Sequence, residues 1–238
     1  METPVETTRE RLLNVAEQRF GEGGYEGTSL RAITVAAAAN IAAVNYHFGS
    51  KEALLRAAVG RAMAPVNAER RRRLDQLEAG GSPTPEELIR AFIEPGLDLV
   101  LRRGERGAVI ARFIGRIAFD PSRRIRELYA AESEPIESRY LAALQRALPQ
   151  ATPDSVAFGY VNMLGLLALH QSQALAVAPS TMASTTPSTT PSTTVSTVST
   201  VSTGQPAVPG AAGPEDPGKL AENLVAFLVA AFDRGLRS

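Results

Sequence analysis

Several polar side chains near the N-terminus of this 238-residue chain have types and spacing suited to nucleic acid. Asn45 can form two hydrogen bonds with the edge of an adenine base. Tyr46 and His47 follow it directly and can reach base edges or phosphates. Lys51 adds a positive charge about one helical turn further along the chain. These residues predict a surface that contacts DNA, and a core position for Tyr46 is the alternative interpretation.

The helix that must position these side chains is predicted to span Asn40–Phe48. Val44 and Phe48 are four residues apart, so they share one face of that helix and should pack inward. The opposite face then carries the polar residues together with two alanines, Ala42 and Ala43. Small side chains let this face enter the major groove, where their methyl groups can contact thymine.

Phosphate contacts are predicted at the start of the preceding helix, Ser29–Ala37. Thr28 is the expected N-cap of this helix, and Thr28 and Ser29 stand where free amides and the helix dipole attract anions. From Thr28 to Gly60 the chain has three basic residues and one acidic residue. Because the whole chain has 25 of each, this segment predicts a small positive surface on a neutral protein.

Nearly the whole chain has apolar residues at helical spacing, which predicts an all-α fold of about nine helices. The expected helices are Thr8–Phe20, Ser29–Ala37, Asn40–Phe48, Lys51–Glu78, Pro85–Arg103, Glu105–Phe119, Ser122–Ala147, Pro153–Ala178 and Lys219–Arg234. Pro65, Pro95 and Pro135 fall inside three of them and predict kinks or breaks. The four arginines from Arg70 to Arg73 wrap a whole turn, so we interpret them as a solvated or ion-paired surface.

Residues 179–218 differ in composition from the rest, because they are mainly Ser, Thr, Pro, Val, Ala and Gly. Such a segment has little to bury and cannot offset its ordering entropy, so we predict a flexible insertion. A transient strand and a glycosylated segment are the alternatives. The neighbouring Ser155–Val177 also lacks charged residues, and we interpret it as an apolar interface helix.

The composition excludes several kinds of chemistry. The chain has no cysteine and two histidines, which excludes disulfides, thiol catalysis and Cys-rich zinc sites. It has no nucleophile–base pairing and no phosphate-binding glycine loop. We therefore expect no enzyme activity, no metal and no cofactor. The N-terminus does not resemble a signal peptide, and no stretch of about 20 apolar residues is present, which predicts a cytoplasmic protein without a membrane partner.

Two segments resemble the DNA-binding domain of TetR-family transcriptional regulators. They are residues 27–33, Gly-Thr-Ser-Leu-Arg-Ala-Ile, and residues 41–54, Ile-Ala-Ala-Val-Asn-Tyr-His-Phe-Gly-Ser-Lys-Glu-Ala-Leu. This version of the motif is similar to regulators of fatty-acid metabolism and efflux. The resemblance implies a helix-turn-helix DNA-binding domain over residues 6–60, with the motif at about 29–48. It also implies a helical effector-binding and dimerisation domain over residues 61–238, whose last two helices form the dimer interface.

The turn before the predicted DNA-reading helix departs from the family, which usually has Ala-Gly-Val there. This chain has Ala37, Ala38 and Ala39 at those positions. Glycine suits a left-handed turn, and alanine in that conformation costs on the order of 1 kcal/mol.

The effector pocket that the resemblance implies has five candidate residues: Arg112, Phe113, Arg116, Asn162 and His170. Arg112 lies among apolar neighbours and should be paired. Its partner is either an internal acid, such as Asp98 or Glu132, or an anionic group of an effector. His170 as an ordinary core histidine is an alternative interpretation.

These observations lead us to expect a ligand-responsive transcriptional repressor. It should bind a palindromic operator in double-stranded DNA as a homodimer, and a small apolar or amphipathic effector should release it. A helical interaction or membrane-surface module without sequence-specific DNA binding is the alternative.

Overall fold

The computed structural model describes residues 6–102, 104–172 and 217–235, and these ranges contain nine α-helices and no strand. The helices are α1 (Thr8–Gly23), α2 (Leu30–Ala36), α3 (Ile41–His47), α4 (Lys51–Ala79), α5 (Pro85–Arg102), α6 (Gly104–Ala118), α7 (Arg123–Ala147), α8 (Pro153–Ser172) and α9 (Pro217–Gly235). The predicted all-α fold of about nine helices is confirmed.

The helix boundaries correct the sequence expectations at two kinds of position. Helices α4, α5 and α7 continue through Pro65, Pro95 and Pro135, so the expected breaks are absent. A proline removes one backbone hydrogen bond, which the packing of a long helix on both sides can outweigh. Helix α9 begins at Pro217, inside the predicted insertion, and the rest of that insertion lies outside the described residues.

Two apolar clusters fill the interior of the protein. The first joins α1, α2, α3, the first half of α4 and α6, around buried side chains such as Phe20 and Leu54. The second joins the end of α4 with α5, α7, α8 and α9 around Phe92, whose ring makes an edge contact with Tyr140 at 5.0 Å between centroids. Helix α4 contributes side chains to both clusters and therefore connects them through one continuous helix.

Helices α1 and α6 approach each other closely. A Cβ atom on Gly21 of α1 would lie 3.2 Å from the backbone of Phe113 on α6, so a larger residue would push the two helices slightly apart. Beside this contact the carboxylate of Glu17 is fully buried. It accepts a hydrogen bond of 2.8 Å from Arg61 Nε of α4 and pairs with Arg106 of α6. One buried charge thus links three helices.

Candidate DNA-binding surface and effector cavity

Side-chain caps fix where the helices of the candidate DNA-binding surface begin. Ser29 Oγ accepts a 3.1 Å hydrogen bond from the amide of Ala32 at the start of α2. Asn40 Oδ1 accepts one of 2.9 Å from the amide of Ala43 at the start of α3. Each cap satisfies a backbone donor that has no partner within the helix, so it sets the first residue of its helix.

The turn between α2 and α3 contains a strained alanine. Ala38 has φ of +46°, and it is the one residue other than glycine with positive φ in the described ranges. The next amide, of Ala39, donates a 2.9 Å hydrogen bond to the carbonyl of Thr34 and closes the turn. The left-handed conformation expected at this position is therefore present without the glycine that suits it, at a cost of about 1 kcal/mol.

Helix α3 has one buried face and one exposed face. Val44 is fully buried and Phe48 is half-buried, in agreement with the predicted inward packing. Tyr46 is 85% exposed, which is inconsistent with a core position. Asn45 and Ala42 are also exposed, whereas Ala43 packs partly against the first apolar cluster.

Two further candidate residues sit at the edge of this exposed face. His47 is half-buried, and its ring makes an edge contact with the Tyr46 ring at 5.0 Å between centroids. The ammonium of Lys51 lies 4.0 Å from the centre of the Tyr25 ring, a cation–π contact that holds the charge beside α3. We use the name reader surface for the exposed face of α3 together with Ser29 and Lys51. Its residues are Ser29, Ala42, Ala43, Asn45, Tyr46, His47 and Lys51.

Thr28 does not belong to the reader surface. Its side chain is 4% exposed, and its hydroxyl lies 2.9 Å from the carbonyl oxygen of Arg19 and 2.8 Å from that of Gly24. The hydroxyl therefore donates inward and closes the connection between α1 and α2. The prediction that Thr28 caps α2 is wrong, because Ser29 is the cap.

Two apolar residues beside the reader surface were missed by sequence reasoning. Val35 of α2 and Ile41 of α3 are exposed, although their size and hydrophobicity favour burial. The signal was available in the sequence, because neither position belongs to the inward face defined by Ile33 and Val44. Apolar side chains of this kind can contact thymine methyl groups.

An internal cavity of about 180 Å³ lies between α4, α6, α7 and α8. Its lining is mainly apolar, with Phe119 and Val161 as exposed side chains at the rim. Its polar lining residues are Arg70 of α4, Tyr129 of α7 and Gln171 of α8. The apolar residues are Met63, Val66, Ile114, Ala118, Phe119, Val161, Leu164, Leu167 and Ala168.

Arg70 is the charged residue of the cavity wall, and its side chain is 3% exposed. Its Nε donates a 2.9 Å hydrogen bond to the carbonyl of Phe92, and its guanidinium lies 3.8 Å from the centre of the Phe92 ring.

The interpretation of the arginine run as an ion-paired surface holds for Arg72 and Arg73, which pair with Glu69. It is wrong for Arg70. The spacing of Met63, Val66, Arg70 and Leu74 places these four on one helix face and could have revealed this.

Buried polar groups surround the cavity on the side of Arg70. Burial raises the pKa of Glu137 on α7 above its ordinary value, and the charge of Arg70 opposes this shift. Burial also raises the pKa of Tyr129 to about 12. Among the described residues, four buried side-chain atoms have no hydrogen-bond partner: Asn67 Oδ1, Ser133 Oγ, Glu137 Oε1 and the Tyr160 hydroxyl.

The five predicted pocket residues do not come together in this cavity. Phe113 is buried in the first apolar cluster, and the guanidinium of Arg116 lies beside Gly24, the residue that follows α1. Arg112 and His170 are half-buried on α6 and α8, and burial lowers the pKa of His170. Asn162 is exposed and donates a 2.7 Å hydrogen bond to the carbonyl of Phe158 within α8. The predicted pocket set is thus not the lining of the cavity.

An apolar groove runs along α8 and α9. Phe158 and Phe227, which line it, are both more than half exposed. The helices are close where Gly159 meets Phe232, because a Cβ atom on the glycine would lie 3.0 Å from that ring. Large exposed apolar side chains in one patch are typical of a protein interface.

None of the described helices is long and apolar enough to cross a membrane.

A capped helix-turn-helix with an exposed reader surface, joined to a larger helical body, defines the class of helix-turn-helix transcriptional regulators. Two family models match the chain. The one described as bacterial regulatory proteins, tetR family, matches residues 12–58, and the one described as tetracyclin repressor-like, C-terminal domain, matches residues 90–204. The chain therefore belongs to the TetR family of transcriptional regulators.

Similar proteins of known name agree with this family. The Escherichia coli K12 regulator UidR is 39% identical over 59 residues, which span 25% of this chain and 30% of that relative. The solved TetR-family regulator PfmR of Thermus thermophilus is 27% identical with a TM-score of 0.51, over 70% of this chain and 86% of that one. AibR, solved with isovaleryl coenzyme A and operator DNA, is 17% identical with a TM-score of 0.55, over 93% of this chain and 97% of that one. At this identity, the likeness to AibR shows a shared fold and nothing more.

Proposed function

We propose that this protein is a transcriptional repressor that binds a palindromic operator as a homodimer and releases it when a small apolar or amphipathic effector binds. The observation that carries the proposal is the two-sided helix α3. Val44 anchors it in the core while Asn45 and Tyr46 project into solvent, where no packing role explains them. A short helix held this way can enter the major groove.

Residues 6–60 supply DNA binding in this proposal, and residues 61–238 supply effector binding and dimerisation. The exposed groove along α8 and α9 supports a dimer, because Phe158 and Phe227 would be buried against the same surface of a second copy. Two reader surfaces about 34–36 Å apart would match successive turns of the major groove. The proposed contacts are those of the reader surface, with Thr28 left out because its hydroxyl is buried.

The effector acts in this proposal by preferring one arrangement of the two reader surfaces. It can lower DNA affinity only by as much as it binds more tightly to the arrangement that does not fit DNA. The cavity supports such a role because α4 and α6 both line it and both contact α1.

The test is an equilibrium binding titration with fluorescently labelled duplexes that contain the palindromes flanking its own gene. We expect binding that weakens steeply with salt, and weaker binding to a duplex of the same composition with the palindrome scrambled. Sedimentation of the free protein reports the dimer independently. Equal affinity for palindromic and scrambled duplexes at every salt concentration would contradict sequence-specific DNA binding.

A further inference from the structure

The buried guanidinium of Arg70 forms no close salt bridge with any of the described residues. Its contacts there are one backbone carbonyl and the face of the Phe92 ring. Taking an arginine out of water without a counter-charge costs several kcal/mol, so such a group is stabilised when a negative charge joins it. The charge of Arg70 acts on Glu137 of α7, but Glu137 Oε1 accepts no hydrogen bond from it.

The open side of Arg70 is the cavity. Among the described residues that line this space, Arg70 is the one that is charged, and most of the others are apolar, such as Leu164 and Leu167 of α8. Gln171 of α8 also lines it, and its amide nitrogen donates a 3.2 Å hydrogen bond to the carbonyl of Gly96. A molecule in this space would therefore have one cationic side chain in its lining and carbon atoms around most of its surface.

We propose that the effector of this protein is a small organic anion, most simply a carboxylate, whose charged group pairs with Arg70 while its apolar body fills the cavity between α6 and α8. The inference rests on the proposed function, because it names the chemical class of that effector. A guanidinium binds a carboxylate through two parallel hydrogen bonds, so Arg70 would attract a negative charge and also select for the planar geometry of a carboxylate.

The size of the cavity restricts the apolar body. Its volume of about 180 Å³ is slightly larger than the roughly 150 Å³ of an engineered cavity that accommodates benzene. A single ring or a short branched chain fits this space, and a long acyl chain does not. Benzoate is therefore a suitable probe, and benzamide is its neutral counterpart of nearly the same shape.

The experiment is calorimetric titration of the full-length protein with benzoate and with benzamide. We expect benzoate to bind at least tenfold more tightly than benzamide. Arg70→Met should remove this preference, whereas Arg71→Met, an exposed position next to it on α4, should leave the preference unchanged. Ala168→Leu should weaken both probes, because its larger side chain would occupy the cavity.

The comparison of the two probes on the unmodified protein decides the matter even if Arg70→Met fails to fold. Benzamide binding as tightly as benzoate, or no binding of benzoate at millimolar concentration, would overturn the proposal. So would benzoate binding that Ala168→Leu leaves unchanged, because the site would then lie elsewhere. DNA binding is measured without any probe, so a protein that binds its operator but not benzoate refutes this inference and leaves the proposed function intact.

Discussion

The reader surface and the cavity wall both use polar side chains on helices, but they place them in opposite environments. Tyr46 projects into water from a short helix, and the chain folds without help from its hydroxyl. Arg70 is buried, and its guanidinium is also part of how α4 packs against Phe92. Binding and stability are therefore separable at the reader surface and coupled at the cavity.

This difference has a physical origin in desolvation. An exposed side chain keeps its hydration until DNA arrives, so removing it changes affinity and little else. A buried charge has already lost its hydration during folding, so removing its contacts affects the fold directly. The comparison predicts that variants of the exposed surface change DNA binding alone, whereas variants of buried charged or strained positions change the free energy of unfolding.

The largest expected effect is on DNA affinity, from Tyr46→Ala combined with Lys51→Ala. A dimer loses four contacts of about 1 kcal/mol each, so operator affinity should fall about 1000-fold. The free energy of unfolding should change by about 1 kcal/mol or less, since Tyr46 is exposed and the Lys51–Tyr25 contact is weak. Fluorescence titration and urea unfolding measure the two quantities. An unchanged DNA affinity would remove the reader surface from the proposed function, and Arg71→Ala is the control for lost charge.

The second largest effect concerns the buried carboxylate between α1, α4 and α6. Glu17→Gln should lower the free energy of unfolding by about 3 kcal/mol, because the partly exposed Arg61 and Arg106 lose their buried counter-charge. Glu22→Gln is the matched control on the same helix. Glu22 pairs with Arg19 at the surface, so its loss should cost less than about 1 kcal/mol. If urea unfolding shows that both variants lose the same free energy of unfolding, then burial does not determine how much each carboxylate contributes to stability.

A stabilising change is expected at the strained turn. Ala38→Gly should raise the free energy of unfolding by up to about 0.5 kcal/mol, because the relief of about 1 kcal/mol of left-handed strain exceeds the added entropy of the unfolded chain. Ala36→Gly, two residues earlier and inside α2, should have the opposite sign. Thermal unfolding of the two variants measures both effects, and destabilisation by both would mean that the turn is not strained.

The smallest effect concerns a partly exposed ion pair and depends on pH. Hydrogen bonds from Arg72 and Arg73 lower the pKa of Glu69 from 4.5 to about 2. A lowered pKa stabilises the folded state at neutral pH, and this contribution is lost as the pH falls from about 4.5 toward 2. Glu69→Gln should therefore cost less than about 1 kcal/mol at pH 7. The difference from the unmodified protein in urea unfolding should vanish on acidification, and a constant difference would contradict the assignment.

The sequence predicted the helices and the exposed face of α3 because their signals are local. Val44 and Phe48, the inward pair of α3, lie within or next to the helix that they define. Thr28 shows the limit of such signals. Two neighbouring hydroxyl residues precede α2, and the choice between them depends on which one can reach the carbonyl of Arg19, a contact between α1 and the following loop.

The cavity could not be predicted in the same way. Its wall combines Arg70 with residues of α6, α7 and α8 that are far away in the sequence, and only tertiary packing brings them together. Arg112 and His170 are polar residues in apolar segments. That pattern indicates burial or pairing, but it does not say which space a side chain faces.

The passage of α4 through Pro65 has a mechanical consequence. Proline cannot donate to the carbonyl four residues earlier, so the backbone of α4 lacks one hydrogen bond at this point and resists bending least there. Met63 and Val66, on either side of it, line the cavity. Lys51 is 14 residues, or about 21 Å, from Pro65 along the axis. A bend of one degree at the proline would displace the lysine by about 0.4 Å, so bending of α4 at the cavity wall would be amplified at the lysine beside α3.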